Sequence, residues 1–473
     1  MPRLVPSAGS ARVDITPQWP VLQGGFGQRT TPSEGVLDAV FAKALFLQAG
    51  DESLLIITAD LICIPKQLAE PVLDALIART GLALRQICLC ASHTHSGPVP
   101  YDASGAQGTA QYSAFLQARL IEVALAARDQ AVPCRVATGA GAVNVFLNRR
   151  TRGEPNIVDP RVAVLAVQDA ADGHLLAVLF GVGCHPVTLG WNNMQISADF
   201  PGVAQRHIEG ALQADNALFF NSTEGNVIPT TSPNRNSLDP RGYHGGGYAD
   251  TQFIGETVAN EVLRVVQSLQ FDAHLTLGSA RQDLRLMPRN ASFDMASATQ
   301  RLAAADAVLR AELGQDYAVR ANGFLWALAS QHVVAVDSTE ADMRRLMVAC
   351  CEQLGLSARV AHGKALKPVQ VPVQVMRIDA GGNALELLAL PGEVLVEVGQ
   401  AWCARTANPQ AFIVGLANAH LRYLPRAAQF DEPDADVHYE TITAGLEPQG
   451  IERALDAAAS MLAQVRAHRA AQP

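Results

Sequence analysis

The strongest constraint on the fold is a set of apolar runs of strand length, each ending in polar residues. "SLLIITADLICI" (53–64) and "LRQICLCASHTH" (84–95) read as buried strands, and the stretch between them, through about residue 79, as a helix. Strand, helix, strand order is satisfied most simply by a parallel sheet with both faces covered. "PRVAVLAVQDA" (160–170) and "HLLAVLFGVGCHP" (174–186) add two strands, and Asp172-Gly173 between them signals a hairpin. The predicted class is α/β: a mixed, largely parallel sheet core covered by helices, with a metal site at the carboxyl ends of its strands.

Further along, "ADFPGVAQRHIEGAL" (198–212) reads as a helix and "ALFFNSTEGNVIP" (217–229) as a strand entering a polar loop. The Pro-, Gly- and Asn-rich stretch 231–247 reads as a loop or lid, with His244 a candidate substrate contact. Helices are predicted over 248–268, through the alanine-rich segments between 294 and 356, and over 449–470. Strands return over 369–399, hinged at Gly381-Gly382, and over 410–425.

A chain of 473 residues exceeds what one core needs, and a division by about 150 would suggest three domains, although large α/β enzymes often keep one core. With 36 basic against 45 acidic residues the net charge is -9, which offers no phosphate-binding face and excludes nucleic acid as an expected partner. The amino terminus lacks a secretory apolar segment, and no run reaches the roughly 18 apolar residues of a membrane span. Eight cysteines lie mostly in apolar segments without CxxC spacing, so a cytoplasmic location is expected.

Chemistry concentrates at the strand ends. His93 and His95, two apart in an extended segment, share a face; the pair reads either as two metal ligands or as a polar strand end. His185 in "GVGCHPVTLG", Glu393 in "LALPGE" and Tyr423 in "HLRYLP" also follow strands. Four strand exits can converge although far apart in sequence, and convergence is what a metal needs. Tyr423 reads equally as a packed aromatic, Asp60 as an orienter of a histidine or as a loop cap, and Asp199 as a helix cap. "GGFGQ" (24–28) lets backbone approach a substrate but lacks the context of a dinucleotide fingerprint, and "GYHGGGY" (242–248) lacks the Lys-Ser/Thr pair of a phosphate loop.

"ASHTHSGP", Asn148-Arg149, "GCHPV" followed by "SADFPG", "STEGNVIP", "PGE", "RYLP" and the later "HYE" together resemble the catalytic region of the neutral or alkaline, non-lysosomal ceramidases. The similarity runs from "ARVDITP" and "GGFG" to Glu440. It implies one catalytic domain over 1–473, with a helical subregion at about 248–356 and a terminal helix at about 449–470, and without the immunoglobulin-like domain of the longer ceramidases. It further implies a catalytic zinc on His93, His185, Glu393 and Tyr423, with His95, Arg149 and Tyr439 contacting the scissile carbonyl or the product carboxylate. Manganese or iron would also suit imidazole and oxygen ligands.

Two positions depart from that pattern. Ile228 stands where such ceramidases carry a serine, which excludes a covalent serine route there, and Phe430 stands where a tyrosine is common. Ser222 and Thr223 lie nearby without a spacing that promotes either. The expectation is a zinc-dependent hydrolase of an amide bond in a small-molecule substrate other than ceramide. A zinc-dependent esterase or lactonase and a catalytically inactive metal-binding homologue are the alternatives.

Overall fold

The computed structural model describes residues 5–100, 109–150, 155–232, 238, 246–362 and 366–470. The proposed lid residues 233–237 and 239–245, including His244, lie outside the described residues.

Eight strands form the larger sheet: β1 (Ser7–Asp14), β2 (Phe41–Ala49), β3 (Glu52–Ala59), β4 (Ile87–Ala91), β5 (Val132–Ala142), β6 (Arg161–Asp169), β7 (Leu175–Val182) and β8 (Asn216–Asn221). Their order is β8-β7-β6-β5-β1-β2-β3-β4. Only the outermost pairs, β8 with β7 and β3 with β4, are parallel; every pairing between them is antiparallel. The expectation of a largely parallel sheet is thereby overturned. The two strand, helix, strand units do exist, one through helix Lys66–Thr80 and one through helix Asp199–Leu212, but they sit at the two edges of a sheet built from hairpins.

A second sheet explains why the strands looked parallel. β9 (Leu275–Leu286), β10 (Val369–Ala380), β11 (Asn383–Ala389) and β12 (Ala411–Val414) pair in that order, antiparallel except for β11 with β12. Leu45, Leu47, Leu54, Ile56, Leu165 and Leu179 of the larger sheet pack against Met376, Ile378, Leu385, Leu387 and Phe412 of the smaller one. The alternate residues Ala44, Phe46, Leu55 and Ile57 face helices Lys66–Thr80 and Thr109–Asp129, while Val162, Val164, Val178 and Phe180 face helices Asp199–Leu212 and Tyr248–Ser268. Both faces of each central strand are therefore buried, which produces continuous apolar runs without parallel pairing. The outer face of the smaller sheet is closed by helices Val396–Thr406 and Gly450–Ala470 around the fully buried Trp402.

Helix Tyr248–Ser268 and the helices between Met295 and His362 match the alanine-rich segments, but β9 lies between them. The later helices form their own apolar cluster around Leu309, Tyr317 and Met347 and carry Trp326 and Leu354 toward the site described below.

Polar stitches set the register of the two sheets. Asn418, with a left-handed φ of 63°, accepts from Leu89 N through Oδ1, donates its backbone N–H to Leu89 O, and donates Nδ2 to Gln374 Oε1. Gln374 in turn donates to the carbonyls of Arg85 and Ile87. Replacing Asn418 by Ala strands Leu89 N and Gln374 Oε1 in the core at roughly 1–3 kcal/mol for each group left unpaired. Urea unfolding of Asn418→Ala is expected to show that loss; a change within about 0.5 kcal/mol, typical of a surface substitution, would contradict it.

Candidate metal centre and its cavity

His93 lies two residues past β4, where the loop turns through a left-handed φ of 71°. A β-carbon disfavours that conformation. It is held by the His93 N–H donating to Leu61 O and by Nδ1, 2.6 Å from Ile62 O. His185, three residues past β7 and fully buried, places Nδ1 2.6 Å from Glu224 O. A carbonyl can only accept, so in both rings Nδ1 carries a proton and Nε2 is the nitrogen turned toward the centre. Glu393 and Tyr423 are register partners in a short parallel bridge, Glu393–Val394 against Tyr423–Leu424, which sends their side chains the same way.

The four groups meet. Glu393 Oε2 is 3.3 Å from Nε2 of His93 and 3.3 Å from Nε2 of His185, and the Tyr423 hydroxyl is 3.3 Å from His185 Nε2. Burial and the nearby Arg149 push His185 down to about 4, leaving it neutral. Burial alone would raise Glu393, but the surrounding His93 and His185 hold its carboxyl well below the usual range, so it is ionised. Two imidazole Nε2 atoms thus face one carboxylate oxygen at 3.3 Å, an arrangement that a proton on a ring nitrogen or a bound cation satisfies. Burial and Glu393 raise the Tyr423 phenol well above its ordinary value, opposed by Arg149.

His95 is the alternative ligand, because its ring joins those of His93 and His185 in a cluster whose nitrogens lie within 4.8 Å of one another. Its Nε2 is 3.3 Å from His93 Nε2, yet its buried Nδ1 has no partner among the described residues, so no carbonyl sets its tautomer. Burial, then His93 and His185, push it well below the ordinary value. Gly25 permits this placement: at φ of 91° a β-carbon there would lie 2.3 Å from the imidazole. A second cluster able to hold a cation, Glu432, Asp434 and His438, lies on a more exposed loop.

Arg149, buried, donates Nε to Glu440 and Nη2 to Gly225 O and to the Tyr423 hydroxyl at 3.0 Å. Its fork thus grips Tyr423 and Glu440. Tyr439 packs edge-on against Tyr423 and lines the cavity. The Asp60 carboxylate accepts from Phe41 N and from Gln205 Nε2, the bonds of a loop cap, and the His93 Nδ1 proton goes to Ile62 O instead. Asp199, the first residue of its helix, accepts from Phe200 N, Leu189 N and the Thr188 hydroxyl, which ties the loop after His185 to that helix. Ile228 is fully buried beside Phe26, Val187, Leu147 and Trp191.

Three contributors escaped the sequence reading. Asn221, at the end of β8, donates Nδ2 to both Ser92 O and Cys184 O and accepts from Cys184 N, clamping the residues that precede His93 and His185. His420 lines the cavity with Nε2 3.9 Å from Glu393 Oε1, and burial pushes it down to about 4. Glu224 is fully buried, and neither carboxylate oxygen has a hydrogen-bond partner among the described residues; burial and Glu393 push it well above the carboxylate range. A strand-terminal Asn and a His three residues before a candidate Tyr were the available signals.

The whole encloses a cavity of about 340 Å³. Its class is that of a three-histidine cluster, largely buried and able to hold a metal ion, with the Glu393 carboxylate 3.3 Å from two of the rings. No protein-family profile and no curated protein matches the chain. Among solved structures, the neutral ceramidase from Pseudomonas aeruginosa aligns with a TM-score of 0.69 at 19% identity, over 98% of this chain and 75% of that one. A ceramidase complexed with C2 aligns with a TM-score of 0.69 at 19% identity, over 98% and 76%. The chain has the ceramidase fold.

Burial raises the Asp60 carboxyl to about 6 from 3.8. The folded protein therefore binds the extra proton between roughly pH 4 and 6, and stability falls as pH rises through that window. Between pH 4 and 7, Asp60→Asn is expected to gain about 3 kcal/mol on the wild type in chemical unfolding. A difference independent of pH would contradict this.

Proposed function

We propose that the chain is a zinc-dependent hydrolase that cleaves an amide bond in a small-molecule substrate other than ceramide. The observation that carries the reading is the meeting of two imidazole Nε2 atoms with the Glu393 carboxylate, 3.3 Å from each, at the wall of a cavity. His93, His185, Glu393 and Tyr423 would hold the zinc; the two imidazoles and the carboxylate suit zinc, and a water would join them by expanding the coordination or by displacing the Tyr423 oxygen. Zinc bound there would polarise a carbonyl and bring a water's pKa toward about 7.

The chain's own groups supply the rest. His95, with Nε2 3.3 Å from His93 Nε2 and facing the cavity, is placed to take a proton from the attacking water and to deliver one to the leaving amine. Arg149 holds the Tyr423 oxygen and, with Tyr439, lines the side on which negative charge would develop. Glu440 anchors Arg149 by its ion pair at 2.7 Å. The eight unpaired cysteines, seven of them buried, support the cytoplasmic assignment. No helix among the described residues is long and apolar enough to cross a membrane.

The test is turnover of matched amides and esters by zinc-loaded protein. Amide hydrolysis is expected to stop on chelation, return with zinc, and fall by about 10²–10⁴ in His95→Gln at unchanged zinc content. Ester turnover without amide turnover would favour the esterase reading. Bound zinc with neither activity would leave a metal-binding homologue and overturn the proposal.

A further inference from the structure

Rings follow one another around the cavity in a series from Phe26 to Trp326. Phe26 meets His95 edge-on with centroids 4.8 Å apart, His95 meets His93 at 4.9 Å, and His93 meets His185 at 4.8 Å. His185 stacks on Tyr423 at 6.3 Å, Tyr423 meets Tyr439 at 5.5 Å, and Tyr439 meets Trp326 at 5.7 Å. Trp326 in turn lies over the backbone of Gly27, next to Phe26, where a β-carbon would come within 2.7 Å of its indole. One half of this series is the nitrogen-bearing metal centre. The other half, Phe26, Tyr439 and Trp326, is aromatic, and Leu354 extends it toward solvent.

Among the described residues, the charged groups lining the cavity are already engaged. Arg149 is paired with Glu440, and Glu393 lies between two imidazoles. The volume of about 340 Å³ sits at the small end of the roughly 300–1,000 Å³ found for small-molecule pockets.

We propose that Phe26, Trp326 and Tyr439 form a specificity site for a compact, uncharged ring carried by the substrate. The chain then acts on aryl or cycloalkyl carbonyl compounds in preference to long-chain acyl ones. This rests on the zinc hydrolase reading above. A rigid ring can meet three ring walls at once, by edge or by face, with little conformational entropy to lose. A flexible alkyl chain would lose rotamer freedom to gain contact over only a few of its carbons. A charged substituent would have to leave water for a wall whose charges are spoken for.

The test does not require turnover. Zinc-loaded protein is titrated calorimetrically with acetohydroxamate, benzohydroxamate, 4-carboxybenzohydroxamate and octanohydroxamate, which share one zinc-binding group. Benzohydroxamate is expected to bind about tenfold more tightly than the acetyl and octanoyl compounds, and the carboxylated ring more weakly than the plain one. Trp326→Ala should abolish most of the benzoyl-to-acetyl ratio at full zinc content, and Trp326→Phe should restore it. Tighter binding of the octanoyl compound, a ratio that survives Trp326→Ala, or no binding of any hydroxamate to the zinc-loaded protein would overturn the inference. Ring-selective binding without hydrolysis of any amide or ester would sink the hydrolase reading and leave ring recognition standing.

Discussion

Two sheets can be pressed together in many registers if only apolar side chains meet, because hydrophobic burial has no direction. Here the register is set by amides. Asn418 bonds both backbone groups of Leu89 on the larger sheet and Gln374 on the smaller, and Gln374 reaches back to Arg85 and Ile87. With that seam closed, the loops leaving β4 and β7 stand opposite the loops leaving β11 and β12. His93 and His185 therefore arrive from one sheet, and Glu393 and Tyr423 from the other. Asn221 works within the first sheet in the same manner, bonding the residues just before each histidine.

The consequence is electrostatic. Carbonyls behind each imidazole keep the Nδ1 protons, so the Nε2 atoms are the ones turned toward the Glu393 carboxylate. Such a cluster is unfavourable by itself in a dry interior and becomes favourable with a cation. Arg149 adds a positive charge at the far edge, donating to the Tyr423 oxygen, and its own charge is balanced by Glu440. His95, with no carbonyl behind Nδ1 among the described residues, is the ring whose tautomer is not fixed, which is the physical basis for separating it from the proposed ligands.

Much of this was legible in the chain. The runs around β3, β4, β6 and β7 and the helices at 199–212, 248–268 and 450–470 follow the apolar periodicity, and the strand exits carry His93, His185, Glu393 and Tyr423. Strand direction was not legible. A run such as β3 is apolar on successive residues whether a helix or a second sheet covers its other face, and here Leu54 and Ile56 face the smaller sheet. Nor did local pattern disclose the long-range partners: Arg149 finds Glu440, 291 residues away, and Asn418 finds Leu89, 329 residues away. Asn221 and His420 gain their meaning only from what the fold places beside them.

Zinc K-edge X-ray absorption on the zinc-reconstituted protein, with His95→Ala alongside, tests the central claim most directly. The account predicts about one zinc per chain with two imidazoles and oxygen ligands near 2.0–2.2 Å, unchanged in His95→Ala. A third imidazole that disappears in His95→Ala would displace Glu393 or Tyr423 from the proposed set. Failure to retain zinc would contradict the account at its root.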